Sequence, residues 1–209
     1  MLYDAWRKIP AWVINLDRRQ DRWAQAQKEF DRLAWPVTRQ AAVEAQPGWK
    51  GCLASHRVVW QYAITMNLPV VAVFEDDVVM PDDFIGIFVA AFKELPADWQ
   101  FWQLHSSRAK YRPRGRYIAQ ILSRGWGTHG YLVTHDGCRQ LLALPENKVD
   151  SLVTEDFRVA GGKIYGVVPS YTLCFQRGND SDIVETAQSG FWRRQLRAHA
   201  ARFTTSAKQ

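Results

Sequence analysis

The chain reads as an α/β domain built on a mainly parallel sheet, and three observations carry that reading. Short apolar runs rich in β-branched residues alternate with stretches of helical periodicity through the first 145 residues, the pattern of strands joined by crossover helices. The run VVAVF at 70–74 is apolar throughout, as a strand buried on both faces must be. Three acids, Glu75, Asp76 and Asp77, follow it at once, at the strand end where open α/β sheets bind their ligands.

In chain order, AWVINL at 11–16 is the first expected strand, and after it Trp23, Ala26, Phe30, Leu33 and Ala34 recur at helical spacing. Pro36 stops that helix, and VTRQAAV at 37–43 gives a second strand. Beyond a turn at Pro47 and Gly48, a second helix carries Cys52, His56, Val59, Trp60 and Ala63 on one face, and Pro69 follows it. VVAVF is the third strand. Pro81, Asp82 and Asp83 open a third helix that ends at Pro96, since proline and anionic side chains suit a helix N-terminus. FWQL at 101–104 and GYLVT at 130–134 are further strands separated by a basic loop, SSRAKYRPRGRY, and HDGCRQLLAL at 135–144 returns to helix. Trp99, Trp102, Trp126 and Tyr131 read either as core or as a surface on which a sugar stacks. In FWRRQLRAHAARF at 191–203, Trp192, Leu196, Ala200 and Phe203 share a stripe with arginines off it, a basic amphipathic helix that either docks on the domain or lies on an anionic membrane surface. The expected organisation is one domain over residues 1–190 and a basic helical tail over 191–209.

A hydrophobic content of 47% in 209 residues suffices for a buried core and excludes a disordered chain. Cys52, Cys138 and Cys174 are far apart with no CxxC pair, so neither a disulfide framework nor a zinc site is expected. No apolar run approaches the roughly 18–20 residues of a membrane span, and MLYDAWRKIP lacks the apolar stretch of a signal peptide, so a cytoplasmic location is expected. The net charge of +6 suggests nucleic acid as a partner until its distribution is read. Six cations and no acids lie between Trp99 and His135, and five cations and no acids between Phe191 and Gln209. Those two stretches hold more than the whole excess, so the rest of the chain is net negative.

The acidic end of the third strand offers hard oxygen ligands. Mg²⁺ or Mn²⁺ takes one or two such carboxylates and completes its shell with substrate phosphates and water. A solvated acidic turn is the plain alternative.

Five separated segments resolve that choice by resemblance. VINLDRRQDRW at 13–23, GCLASHRVVW at 51–60, VFEDDVVM at 73–80, THGYLVTHDGCRQLL at 128–142 and QRGNDSDI at 176–183 resemble, in order and spacing, the successive blocks of glycosyltransferase family 25. The resemblance implies a GT-A fold, a nucleotide-sugar donor, most commonly UDP-galactose, a divalent cation (Mn²⁺ or Mg²⁺) and an inverting transfer. The expected acceptor is a saccharide or a glycolipid such as a lipopolysaccharide core. Two other readings remain: a transferase acting on modified DNA, suggested by the basic blocks, and a non-catalytic carbohydrate- or nucleic-acid-binding module.

The resemblance also implies residue roles. Asn15, Asp17, Arg18 and Arg22 fall in the block that holds base and ribose, and the arginines also suit phosphate; surface ion pairs at a helix start are the alternative. Ser55 and His56 match a Ser-His pair beside the donor, or serve as structural helix residues. Asp77 is assigned as the principal metal ligand, Glu75 as a contact to ribose or base, and Asp76 has no settled role. Asp182 is either a second metal or substrate contact or a solvated loop acid. An inverting transfer needs a general base for the acceptor hydroxyl. Asp150 matches a Val-Asp element of the family, whereas Glu155 and Asp156 in VTEDF resemble the Thr-Glu-Asp motif of other inverting GT-A enzymes. Asp156 is preferred; the alternative is a helix capped by Thr154 with ordinary first-turn acids.

Overall fold

Strand β1 (Ala11–Asn15) is buried along its whole length, and its alternating side chains serve two cores. Ala11 and Val13 face one side with Ala72, Phe74, Trp102 and Leu132, while Trp12 and Ile14 face the other with Val71, Val73, Phe101 and Val133. Period-two alternation in a sheet covered on both faces produces this division. The first core is closed by helices α1 (Gln20–Leu33) and α3 (Phe84–Glu94), through Ala26, Phe30, Leu33, Phe84 and Phe88. The second is closed by α2 (Gly48–Thr65), α4 (His135–Ala143) and α5 (Val149–Ser151), through Leu53, Val59, Trp60, Leu141 and Val149. This computed structural model describes residues 5–105 and 108–177. Asp182 and the helix expected at 191–203 lie outside the described residues, as does the boundary placed at residue 190.

The other strands are β2 (Val37–Ala41), β3 (Val70–Glu75), β4 (Val78–Val79), β5 (Phe101–Gln103), β6 (Tyr111–Pro113), β7 (Ile118–Ile121), β8 (Gly130–Thr134), β9 (Ile164–Val167) and β10 (Phe175–Gln176). Eight of the ten strands among the described residues form one sheet in the order β2-β1-β3-β8-β5-β9-β7-β6, and β10 pairs with β4 in a small second sheet. The pairings give six strands of the large sheet one direction, with β8 and β7 reversed. The mainly parallel α/β expectation therefore holds, with β8 wedged antiparallel between β3 and β5.

Two local expectations are corrected. The basic stretch expected as a loop contains a hairpin, β6–β7, in register from Tyr111 opposite Ile121 to Pro113 opposite Ala119. Ile118 and Ile121 are buried, and β7 is held by pairing with β9, a partner distant in sequence that supplies what four residues cannot supply alone. The aromatic residues offered as a stacking surface do not form one. Trp102 and Tyr131 are fully buried, Trp99 packs at the edge of the first core, and Trp126 is 45% exposed. The densest aromatic packing is internal, where Trp6, Trp35, Phe74 and Phe88 meet edge-on or tilted at 4.9–5.7 Å between ring centres. Among the described residues no helix is long and apolar enough to cross a membrane.

Candidate active site

Parallel pairing of β1 with β3 sets Ile14 opposite Glu75, so Asn15 and the three acids leave the sheet at one edge. Between that edge, α2 and the segment 42–48 lies a cavity of about 340 Å³. Arg18, Arg22, Ser55, His56, Glu75, Asp76 and Asp77 line it, so seven of the residues chosen from sequence come together.

Asp76 is fixed from two sides. Asn15 Nδ2 donates to its Oδ2 at 2.7 Å, and Arg22 Nη1 donates to its Oδ1 at 3.2 Å. Asn15 is 1% exposed, and its amide is committed inside the protein: Nδ2 also donates to the Arg19 carbonyl, and Oδ1 accepts from Arg39 Nε at 2.8 Å. Asn15 thus positions Asp76 from behind. Asp17 is held by Arg39 on the exposed side and is not part of the cavity wall. Arg18 reaches the wall paired with Glu44 at 2.7 Å. Burial raises the Asp76 carboxyl, against the lowering effects of Asn15 and Arg22.

Glu75 and Asp77 are the strained pair. Burial pushes Glu75 up to about 7, and the charges of Asp150 and Asp76 add to the shift while His129 opposes it. Burial pushes Asp77 up to about 6, with Glu75 reinforcing and His129 opposing. Gln176 Nε2 donates to Asp77 Oδ2 at 2.8 Å, but Oδ1 is buried with no hydrogen-bond partner among the described residues. A desolvated carboxylate oxygen left unpartnered is costly, and the half-buried Glu75 carboxylate, whose charge acts on Asp77, makes the position suit a hard divalent cation. The residues present therefore fit the cation that a GT-A fold implies.

On the α2 side, Ser55 Oγ donates to the Gly51 carbonyl at 2.7 Å and accepts the Val43 N–H at 2.8 Å, tying the 42–48 segment to the helix. His56 is fully buried, its Nδ1 is 2.8 Å from the Tyr131 hydroxyl, and burial pulls it down to about 4, so it is neutral at ordinary pH.

The base candidates lie off the cavity wall. Asp150 Oδ1 accepts from the Gly127 and Thr128 N–H groups and the Thr128 hydroxyl, at 2.9–3.1 Å. Its charge acts on Cys52, His56 and Glu75. Asp156 accepts from Asn147 Nδ2 at 2.8 Å within a π-helical turn, Leu152–Phe157, that also contains Glu155. Thr154 is not a cap: it is buried inside that turn, donating to the Asp150 carbonyl at 2.6 Å and accepting from Gly125 N–H.

Four residues of the site were not chosen from sequence. Arg39 orients Asn15, Gln176 holds Asp77, His129 counters both buried acids, and Cys52 lines the cavity. The first three are single residues whose significance depends on distant pairing. Cys52 had a signal, its i,i+4 spacing to His56 on a helix.

The fold and site together define a GT-A-like α/β protein with an acidic cavity at the carboxyl edge of its sheet. Its backbone is similar to that of a glycosyltransferase involved in the glycosylation of the major capsid of PBCV-1, with a TM-score of 0.52 at 9% identity over 78% of this chain and 82% of that one. Residues 46–157 match glycosyltransferase family 25 (LPS biosynthesis protein). The chain is 30% identical over 187 residues to the lacto-N-neotetraose biosynthesis glycosyltransferase LgtB of Neisseria meningitidis, covering 69% of this chain and 67% of that one. It is 26% identical over 147 residues to the lipooligosaccharide biosynthesis protein lic2B of Haemophilus influenzae, covering 63% and 54%. The chain belongs to glycosyltransferase family 25. It spans about half the length of several curated relatives it matches.

Proposed function

We propose that the chain is a metal-dependent, inverting glycosyltransferase that moves a hexose, galactose from UDP-galactose in the first instance, to a saccharide hydroxyl during synthesis of a lipopolysaccharide-type glycan. The observation that carries this reading is the unpartnered, buried Asp77 Oδ1 beside Glu75 in a cavity of about 340 Å³, a volume within the range of small-molecule sites. The acceptor class is supported by relatives named for lacto-N-neotetraose and lipooligosaccharide synthesis.

In this reading Asp77 holds the cation and Glu75 faces the donor ribose or base. A bound divalent cation neutralises charge on the departing diphosphate. Arg18 and Arg22 supply positive charge on the cavity wall, and Asn15 keeps Asp76 aimed by occupying one of its oxygens. The proton of the attacking hydroxyl goes to a carboxylate. Asp150 is favoured over Asp156 and Glu155 because its charge reaches the cavity groups while three donors fix its Oδ1, leaving Oδ2 to accept the proton.

The test is slow donor hydrolysis with a panel of nucleotide sugars and Mn²⁺. UDP-galactose is expected to be turned over, chelator to stop it, and Asp77→Asn to lower the rate by about 100-fold or more. Near-normal hydrolysis by Asp77→Asn, or indifference to chelator, would remove the metal assignment.

A further inference from the structure

Cys52 and His56 lie one turn apart on α2, and Glu75 ends β3 against the same helix. One sulfur, one imidazole nitrogen and one carboxylate oxygen from these residues lie within 4.8 Å of one another. His56 Nε2 is buried with no hydrogen-bond partner among the described residues, and it faces Glu75 Oε1 at 3.5 Å. The ring is braced from behind: Nδ1 meets the Tyr131 hydroxyl, which also accepts from Trp60 Nε1 at 2.9 Å. We propose that Cys52, His56 and Glu75 form a site for a borderline-soft divalent cation of the zinc class, separate from the hard-cation position at Asp77.

The donor set decides the class. Thiolate with imidazole and carboxylate suits Zn²⁺, whereas Mg²⁺ and Mn²⁺ favour oxygen throughout. Tetrahedral zinc, with bonds of about 2.0–2.3 Å, spaces its ligand atoms about 3.3–3.6 Å apart. The His56–Glu75 separation already matches, and the remaining closure is about 1 Å, within the reach of a cysteine rotamer. Coordination requires the Nε2 lone pair, hence the tautomer in which Nδ1–H donates to the Tyr131 oxygen. The Cys52 thiol gives up its proton to solvent as the cation enters. Three protein ligands leave the fourth position for water or a ligand in the cavity that all three residues line. The proposal departs from the expectation from sequence that the cysteines imply no zinc site, because the third ligand comes from a strand end that no local spacing reveals.

The test uses the full chain freed of metal by chelator and titrated with Co²⁺, followed by absorption. One equivalent is expected to produce tetrahedral d–d bands and a sulfur-to-cobalt charge-transfer band, both abolished by Zn²⁺. Cys52→Ser is expected to lose the charge-transfer band, Glu75→Gln to weaken Co²⁺ binding by about 10- to 100-fold, and Asp77→Asn to keep the band. A wild type without the band, a band that survives Cys52→Ser, unchanged affinity in Glu75→Gln, or loss of the band in Asp77→Asn would each overturn the proposal. Should Cys52→Ser not fold, alkylation of Cys52 in the wild type replaces it: Zn²⁺ is expected to protect the thiol, and equal labelling with and without Zn²⁺ overturns the site. None of these readouts depends on transferase activity, so the outcome is independent of the donor's identity and of the Asp77 assignment; a bound zinc would take Glu75 from the donor ribose.

Discussion

A Cβ at position 51 would stand 2.4 Å from the Val43 carbonyl oxygen and 2.9 Å from the Ala45 nitrogen. Both obstacles are backbone, and both belong to the segment that walls the cavity. Gly51→Ala must therefore push that segment off α2, straining the Ser55–Val43 hydrogen bond. The expected result is a loss of about 1–3 kcal/mol of stability, read as a lower Tm, together with weaker donor binding in titration. Asn15→Ala tests the brace behind Asp76. It removes one of two side-chain partners of a nearly buried carboxylate, with an expected cost of about 1–3 kcal/mol and a lower donor affinity at unchanged metal preference. At this scale the sequence showed which residue types gather at the strand ends. It did not show that Asn15 faces inward toward Asp76, because that orientation depends on Arg39 arriving from the neighbouring strand.

Helix α1 ends where Ala34 takes φ 50, with its N–H donated to the Asp31 and Phe30 carbonyls. The closing turn demands a left-handed residue, and alanine pays about 1–2 kcal/mol for it. Glycine removes that strain at a backbone entropy cost of about 0.5–1 kcal/mol, and Ala34 is exposed, so no packing is lost. Ala34→Gly is expected to stabilise the protein by about 0.5–1 kcal/mol, a rise in Tm of about 1–4 °C by calorimetry. Among the elements, those legible from sequence were the ones that carry their own periodicity: α1, α2, β1 and β3 each have enough apolar residues in phase to declare themselves. The hairpin β6–β7 does not. Tyr111–Pro113 is exposed throughout, and the burial of Ile118 and Ile121 is bestowed by β9, which lies some forty residues later. The π-helical turn at 152–157 likewise has no local sequence signature: Thr154 inside it donates to the Asp150 carbonyl and accepts the Gly125 N–H from 29 positions away.

For the whole molecule, the cavity sits at the end of β3, a strand that contributes to both cores. A donor that binds only the folded state should stabilise everything at once, by about 2.7 kcal/mol at a concentration 100 times its Kd. For a chain of this size that corresponds to about 5–11 °C in Tm. The shift is expected with UDP-galactose and Mn²⁺ together and to shrink sharply with either alone; an equal shift from the nucleotide sugar without cation would count against shared binding. The charge of +6, which first suggested a nucleic-acid partner, is distributed in the same sense as the fold. Its internal block spans the β6–β7 hairpin at the far edge of the sheet, while the acidic groups converge on the cavity at the ends of β1 and β3. That convergence was legible as an acidic strand end, but the pairing of the acids with Gln176 and His129 was not, because it is made by chain crossing.

That crossing fixes an order of events. Gln176 reaches Asp77 across 99 positions of sequence, on a strand, β10, whose pairing with β4 also brings the Arg177 N–H to the Asp77 carbonyl at 2.6 Å. Such distant contacts form only after the intervening chain has been laid down, since their loop-closure entropy is recovered last. During synthesis the β1–α2–β3 unit is available early, whereas the seat of Asp77 is finished only when residues 175–177 have joined it. The Asp77 seat therefore forms late, and partly made chains carry the β1–α2–β3 wall of the cavity without it.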